Sequence, residues 1–138
     1  MKYKNIEIVN IVNFLSDISE KKLPQKISYA IMRNLDSFQK ECIYYEKELN
    51  KIVESYSTFF INNSDGKPLI ASSGVPVVDD DHAKDYAHDL QELVNFEIDV
   101  EVYHVDESIF NYEDIRGRYD ALSGKEILKL VNIFCSND

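Results

Sequence analysis

Residues 25–57 read QKISYAIMRNLDSFQKECIYYEKELNKIVESYS, and this stretch decides the architecture. Its apolar residues Ile31, Leu35, Phe38, Cys42, Tyr45, Leu49, Ile52 and Tyr56 fall alternately four and three apart, the period of about 3.5 residues that marks a seam between packed helices. The spacing predicts one long helix over 25–57. Pro24 opens it with φ already set and no amide to satisfy, and the β-branched and aromatic run Thr58-Phe59-Phe60-Ile61 closes it. At 1.5 Å per residue such a helix is roughly 50 Å long, more than a compact domain of this size needs. Part of its seam therefore faces something other than its nearest neighbour.

Upstream, residues 5–22 place Ile8, Ile11, Val12, Leu15 and Ile18 on one helical face, with room for a strand at the very start, over 3–9. The break at Leu23-Pro24 is too short for anything but an antiparallel return, so the first two helices form a hairpin with unequal arms. Leu49, Ile52 and Tyr56 are left for the C-terminal helix to cover through Leu130 and Phe134, or for another subunit.

Downstream, Phe59-Phe60-Ile61 and Pro68-Leu69-Ile70-Ala71 flank an Asp65-Gly66 turn and read as a β-hairpin, with 75–78 a short extended piece confined to an edge by Pro76. Asp79-Asp80-Asp81 caps a helix running to about Asn95, with Ala83, Tyr86, Ala87, Leu90, Leu93 and Val94 inward. Residues 96–102 alternate, Phe96, Ile98, Val100 and Val102 on one side and Glu97, Asp99, Glu101 and Tyr103 on the other, as a half-buried strand does. An ordered loop with at most a turn of helix fills 106–121. Ser123-Gly124-Lys125-Glu126 then forms a capping box for a last helix carrying Ile127, Leu130, Val131 and Phe134. No internal repeat is read. The fold class is α+β in one domain over 1–138: an N-terminal antiparallel helical hairpin over 1–57, then an acidic part over 58–138 with a small antiparallel sheet and two further helices.

The charge is uneven. Nine Lys or Arg stand against eight Asp or Glu over 1–57, giving +1, and six stand against seventeen over 58–138, giving −11. Such a field disfavours nucleic acid and anionic lipid and favours a basic partner, although acidity alone also serves solubility. Two cysteines, Cys42 and Cys135, sit at apolar helical positions as small hydrophobes do, which fits a reducing cytoplasm. No signal h-region or membrane-length apolar run is read.

Leu23-Pro24-Gln25-Lys26-Ile27-Ser28-Tyr29 entering a long charged helix, Leu90-Gln91-Glu92-Leu93 running into Phe96-Glu97-Ile98-Asp99-Val100, and Leu122-Ser123 opening a last helix follow one another in a set order. In that order and spacing the chain resembles a group of short uncharacterised proteins encoded by phages and prophages of Gram-positive bacteria, except over 59–78. The resemblance implies a small mobile-element protein and carries no catalytic residue over.

Asp81, Asp85, His88 and Glu92 share a helical face, and Asp85 with His88 has the spacing of carboxylate–histidine metal pairs in helix bundles. Such a site needs matching ligands from a second helix, and none is offered, so a cap followed by a solvated acidic face is the reading kept. Neither cysteine lies near a marked basic group, and the four glycines form no phosphate-cradling run. Arg116 and Arg118 either bind a phosphate or carboxylate or neutralise Glu113 and Asp114. No enzyme chemistry and no cofactor is expected. The expected activity is that of an acidic binding protein, an inhibitor occupying the basic surface of a host defence nuclease or another nucleic-acid-binding protein in the host cytoplasm. Its contact residues are Asp81, Asp85, Asp89, Glu92, Glu97, Asp99, Glu101 and Tyr103, and it does not bind nucleic acid directly. The alternative is a phage structural or assembly protein that forms a homo-oligomer through the long helix.

Overall fold

The computed structural model describes residues 1–135. A short strand β1 (Lys2–Lys4) leads into α1 (Asn5–Ile18), and α2 (Gln25–Ser55) returns antiparallel to it. After a 3-10 turn at Ser57–Phe59 and a loop region come α3 (Asp80–Asn95), β2 (Glu97–Asp99), a second 3-10 turn at Glu107–Phe110, and α4 (Gly124–Phe134). The fold is α+β, and β1 and β2 pair antiparallel as a two-stranded sheet with Tyr3 opposite Ile98.

α2 has 31 residues, about 46 Å at 1.5 Å per residue, whereas α1 has 14 and covers less than half of it. Over this first part Ile27, Ala30, Ile31, Leu35 and Phe38 are buried against Ile8, Leu15 and Ile18 of α1, in one core with Val100, Phe110, Leu130 and Phe134. α3, not α4, covers the far part of α2. There the Tyr56 ring packs on Tyr86 of α3 with centroids 4.9 Å apart, while Leu130 and Phe134 of α4 belong to the core beside α1. The expectation that α4 reaches Leu49 and Tyr56 is thus corrected. A capped helix of 16 residues directly after the loop fills that place first.

α3 and α1 consequently lie end to end along α2. Their junction is stitched by Asn5, whose backbone N–H donates to the Phe96 carbonyl at 3.1 Å and whose Nδ2 donates to the Leu93 carbonyl at 2.9 Å. Both carbonyls belong to the end of α3, where a helix's last acceptors lack the usual partner four residues on, and the Leu93 carbonyl takes the Phe96 N–H besides.

The strand expected over 96–102 contracts to Glu97–Asp99, because β1 offers only three residues to pair with. Phe96 is the C-cap of α3 rather than a strand residue, and its ring lies 62% exposed instead of on the buried side. Beyond β2 the chain is held by other means. Val100 N–H donates to the Met1 carbonyl, and Val105 N–H to that of Phe134. Between them Asn34, fully buried on α2, donates from Nδ2 to the Tyr103 carbonyl at 3.0 Å and accepts the Tyr103 N–H at 2.7 Å.

Residues 61–78 hold a repeat that the sequence reading misses. Ser64-Asp65-Gly66-Lys67-Pro68-Leu69 is followed, eight residues on, by Ser72-Ser73-Gly74-Val75-Pro76-Val77. Leu69 N–H donates to Ile61, Val77 N–H to Leu69, and Ile61 N–H to Val77, closing a ring of three bonds of 2.8, 2.8 and 2.9 Å. The turn glycines Gly66 and Gly74 both take positive φ, 81° and 90°, where a side chain is strained. Three isolated bridges, at Phe60 with Val78, Asn62 with Pro68 and Ile70 with Pro76, replace the simple hairpin expected there.

Asn34→Ala is expected to cost about 1–3 kcal/mol in denaturant unfolding, because a donor and an acceptor on Tyr103 lose their partner together. Asn34→Asp is expected to cost more at neutral pH. Its carboxylate faces the Tyr103 carbonyl, burial raises its pKa, and the excess penalty over Asn34→Ala should shrink as falling pH protonates it.

Candidate binding surface

The acidic helix α3 begins with chemistry that favours acids. Asp79 caps it by accepting the His82 N–H at 3.1 Å, and Asp80 and Asp81 fill a first turn where the helix dipole stabilises negative charge. His82 Nδ1 also lies 2.7 Å from the Asp79 carboxylate, and this hydrogen bond holds the Asp79 carboxyl below its usual pKa. The His82 ring is stacked on Phe59 at 3.5 Å with 9° between planes, fixing the start of α3 on the 3-10 turn that follows α2.

Farther along, the helix has two faces. Tyr86 is buried and donates its hydroxyl to the Pro76 carbonyl at 3.0 Å. Asp89, read from sequence as an outer residue, turns half inward and accepts the Tyr56 hydroxyl at 2.7 Å. That hydrogen bond raises the Tyr56 phenol to about 12, with burial and the charges of Asp89 and Asp85 adding to it. Asp81, Asp85, His88 and Glu92 face solvent. His88 Nε2 contacts Glu92 at 3.0 Å, so the histidine is paired with Glu92 rather than with Asp85 as a metal pair requires. Among the described residues no three His, Cys, Asp or Glu side chains are grouped to hold a metal ion.

The remaining contact residues read from the sequence lie in other settings. On β2, Glu97 stands opposite Lys4 and Asp99 opposite Lys2. Asp99 also accepts from the Met1 α-amino group at 2.7 Å, which lowers its pKa. Glu101 is exposed past the end of the ladder. Tyr103 packs edge-on against Tyr29 at 5.4 Å, with the Arg33 guanidinium 5.0 Å from its ring centre. Arg33 donates to the Tyr29 hydroxyl at 2.8 Å, a bond that raises its pKa further. This aromatic–basic cluster was missed as a unit; its one local signal is Tyr29 and Arg33 four apart on the outer face of α2.

Elsewhere, among the described residues no guanidinium forms an ion pair with Asp114. Its carboxylate accepts the backbone N–H groups of Arg118 and Tyr119 at 2.8 and 3.0 Å, while the Arg118 side chain lies over the Tyr119 ring. Both thiols are half-buried and burial pushes their pKa up, the reverse of an activated nucleophile. Among the described residues no helix is long and apolar enough to cross a membrane. What α3 offers chemically is a row of acceptor-only carboxylates, suited to holding cations from a partner. No family model matches the chain, and no curated protein or solved structure matches it.

The Tyr56–Asp89 bond has a pH signature. Since the folded phenol holds its proton more tightly than the ordinary value near 10, the stabilisation is complete below about pH 10 and is lost as pH rises through about 12. Tyr56→Phe is expected to lower the melting temperature at neutral pH, to flatten the decline in stability over that alkaline range, and to remove the late-ionising phenol from a spectrophotometric titration. An unchanged titration curve would assign the late phenol to another tyrosine.

Proposed function

We propose that this is a non-enzymatic, phage-derived binding protein that acts in the host cytoplasm by laying the outer face of α3 on the basic surface of a host nucleic-acid-binding protein, such as a defence nuclease. One observation carries the reading: Asp81, Asp85 and Glu92 stand exposed on one helical face, and Lys84 is the only lysine or arginine on the helix. The helix dipole favours Asp81, but Asp85 and Glu92 lie beyond the first turn and add like charge to the same face, so a cationic partner gains what folding does not.

β2 drops out of the surface, because Glu97 and Asp99 already stand opposite lysines. At 1.5 Å of rise per residue, Asp81 and Asp85 lie about 6 Å apart along the axis and Asp85 and Glu92 about 10 Å. One DNA strand carries a charge every ~3.4 Å, so the helix meets a basic patch as separate anchoring points and not as a copy of a phosphate backbone.

A second reading, self-association along α2, is favoured by Met32, Ile43 and Tyr44, exposed at 53%, 53% and 61% on its outer side. Sedimentation at micromolar concentration separates the two: a stable dimer broken by Ile43→Asp supports self-association, and a monomer leaves this face without a role.

The acidic reading is tested by Asp81→Asn with Asp85→Asn and Glu92→Gln, leaving Asp89 on Tyr56. The triple variant is expected to melt at the same temperature or higher, and to lose both partner capture from a bacterial host lysate and most of the salt dependence of binding. Lowered stability with capture intact would mean that these carboxylates serve the helix alone.

A further inference from the structure

Where α3 ends against α2, the surface holds a notch of about 300 Å³ lined by Ile52, Asp89, Glu92, Leu93 and Phe96. We infer that this notch receives a single arginine side chain of the basic partner; the inference rests on the acidic reading of α3 and names its anchor.

Three features argue for that occupant. The first is the ring of Phe96. It is 62% exposed, and its outward position is set by the backbone: the Phe96 N–H is bonded to the Leu93 carbonyl at 3.2 Å and its own carbonyl to Asn5 at 3.1 Å. A flat apolar face is thereby held open to solvent at the end of a helix. The second is the charge around it. Two carboxylates line the notch and no lysine, arginine or histidine does, so the complement is a cation. Asp89 is held by the Tyr56 hydroxyl on Oδ2, which leaves Oδ1 to accept, and Glu92 meets His88 through Oε1, which leaves Oε2.

The third is the mixture itself. Ile52 and Leu93 suit an aliphatic stem, the ring suits a planar cation, and the two free carboxylate oxygens suit a fork of N–H donors. Arginine has all three parts, whereas lysine brings the stem with a strongly hydrated point charge. The contrasting cavity beside Asp114 and Asp120 lacks this readiness. There Asp114 already accepts two backbone amides and Asp120 accepts the Lys22 N–H at 2.7 Å.

The test uses the full chain with an oligo-arginine and an oligo-lysine peptide of equal length, measured by calorimetry at low salt and by amide chemical shifts. The expected result is preference for the arginine peptide by at least about threefold, the scale of an exposed cation–π contact. Shifts should centre on Ile52 and on residues 89–96. Phe96→Leu keeps an apolar side chain and is expected to abolish the preference, bringing the arginine peptide down to the affinity of the lysine peptide; Phe96→Ser, on an exposed position, serves as a second variant with its melting temperature checked. Equal affinity for the two peptides, unaltered by either substitution, overturns the arginine notch and leaves the wider acidic face standing. Failure of both peptides to bind at low salt overturns the acidic reading along with it.

Discussion

The structure depends on one mismatch of lengths. α2 presents an apolar seam of 31 residues, and the hairpin that its short entry loop imposes gives it a partner of only 14. A seam left in water forfeits the burial of its apolar surface, roughly 25 cal/mol per Å². The chain meets this by bringing α3 in at the far end and abutting it on α1, so that two helices in series cover what one cannot. Asn5 closes the joint. A side chain there must donate to a helix-end carbonyl while packed at 1% exposure, which asparagine does, at the cost of an Oδ1 atom without a partner among the described residues. β1 and β2 are the flanks of the same joint, one preceding α1 and the other following α3.

From the joint onward the chain over 97–105 works as a strap. It is paired first to β1, then tied through the Tyr103 backbone to Asn34 of α2, then through Val105 to the last turn of α4. Each tie reaches a different element, and all three join residues far apart in sequence. Buried asparagines thus do the joining in this small core. Where two elements meet with only a few residues to spare, a side-chain amide supplies the donor and acceptor that a longer strand would have supplied from its backbone.

What the sequence disclosed was the chemistry that acts locally. The 25–57 period ends within two residues of the observed helix, the Ser123 and Glu126 capping box is present with both bonds, and Asp79 is the N-cap of α3. Loop 106–121 contains one short turn of helix, within the limit expected of it. What stayed hidden was set by partners distant in the chain. Alternation over 96–102 is genuine as a pattern, yet strand length is fixed by how much β1 can offer. Asn34 sits among seam residues and looks like a tolerated polar substitution until Tyr103 is placed beside it. The octapeptide repeat over 61–78 was legible in Gly66-Lys67-Pro68 and Gly74-Val75-Pro76 but reads as ordinary turn punctuation, since repeats are sought at longer periods. As for the binding surface, the carboxylates could be counted but not assigned. Asp89, Asp99, Asp114 and Asp120 proved to have local duties.

That assignment changes what the net charge means. On the proposed reading the net charge attracts a basic partner over about 10 Å before salt screens it, and an acid paired with a cation, as Asp99 is with the Met1 α-amino group, adds little to that attraction. On that reading the exposed carboxylates act at contact: Asp81 and Asp85 on α3, Glu92 beside His88, and Glu101 apart from them past the end of β2. The first-turn acids of α3 are explained by the helix itself, since the dipole favours them there. Glu92 is not. It stands toward the end where the dipole disfavours negative charge, no basic residue occupies the last turn, and an exposed phenylalanine follows four residues later. Helix stability alone calls for lysine or arginine at that end and for a polar residue at the cap. On the proposed reading, an acid beside an open aromatic ring is instead the composition of a receptor for a cation carried on an apolar stem, and the C-terminal end of α3, not its more acidic start, is where one basic partner would be told from another.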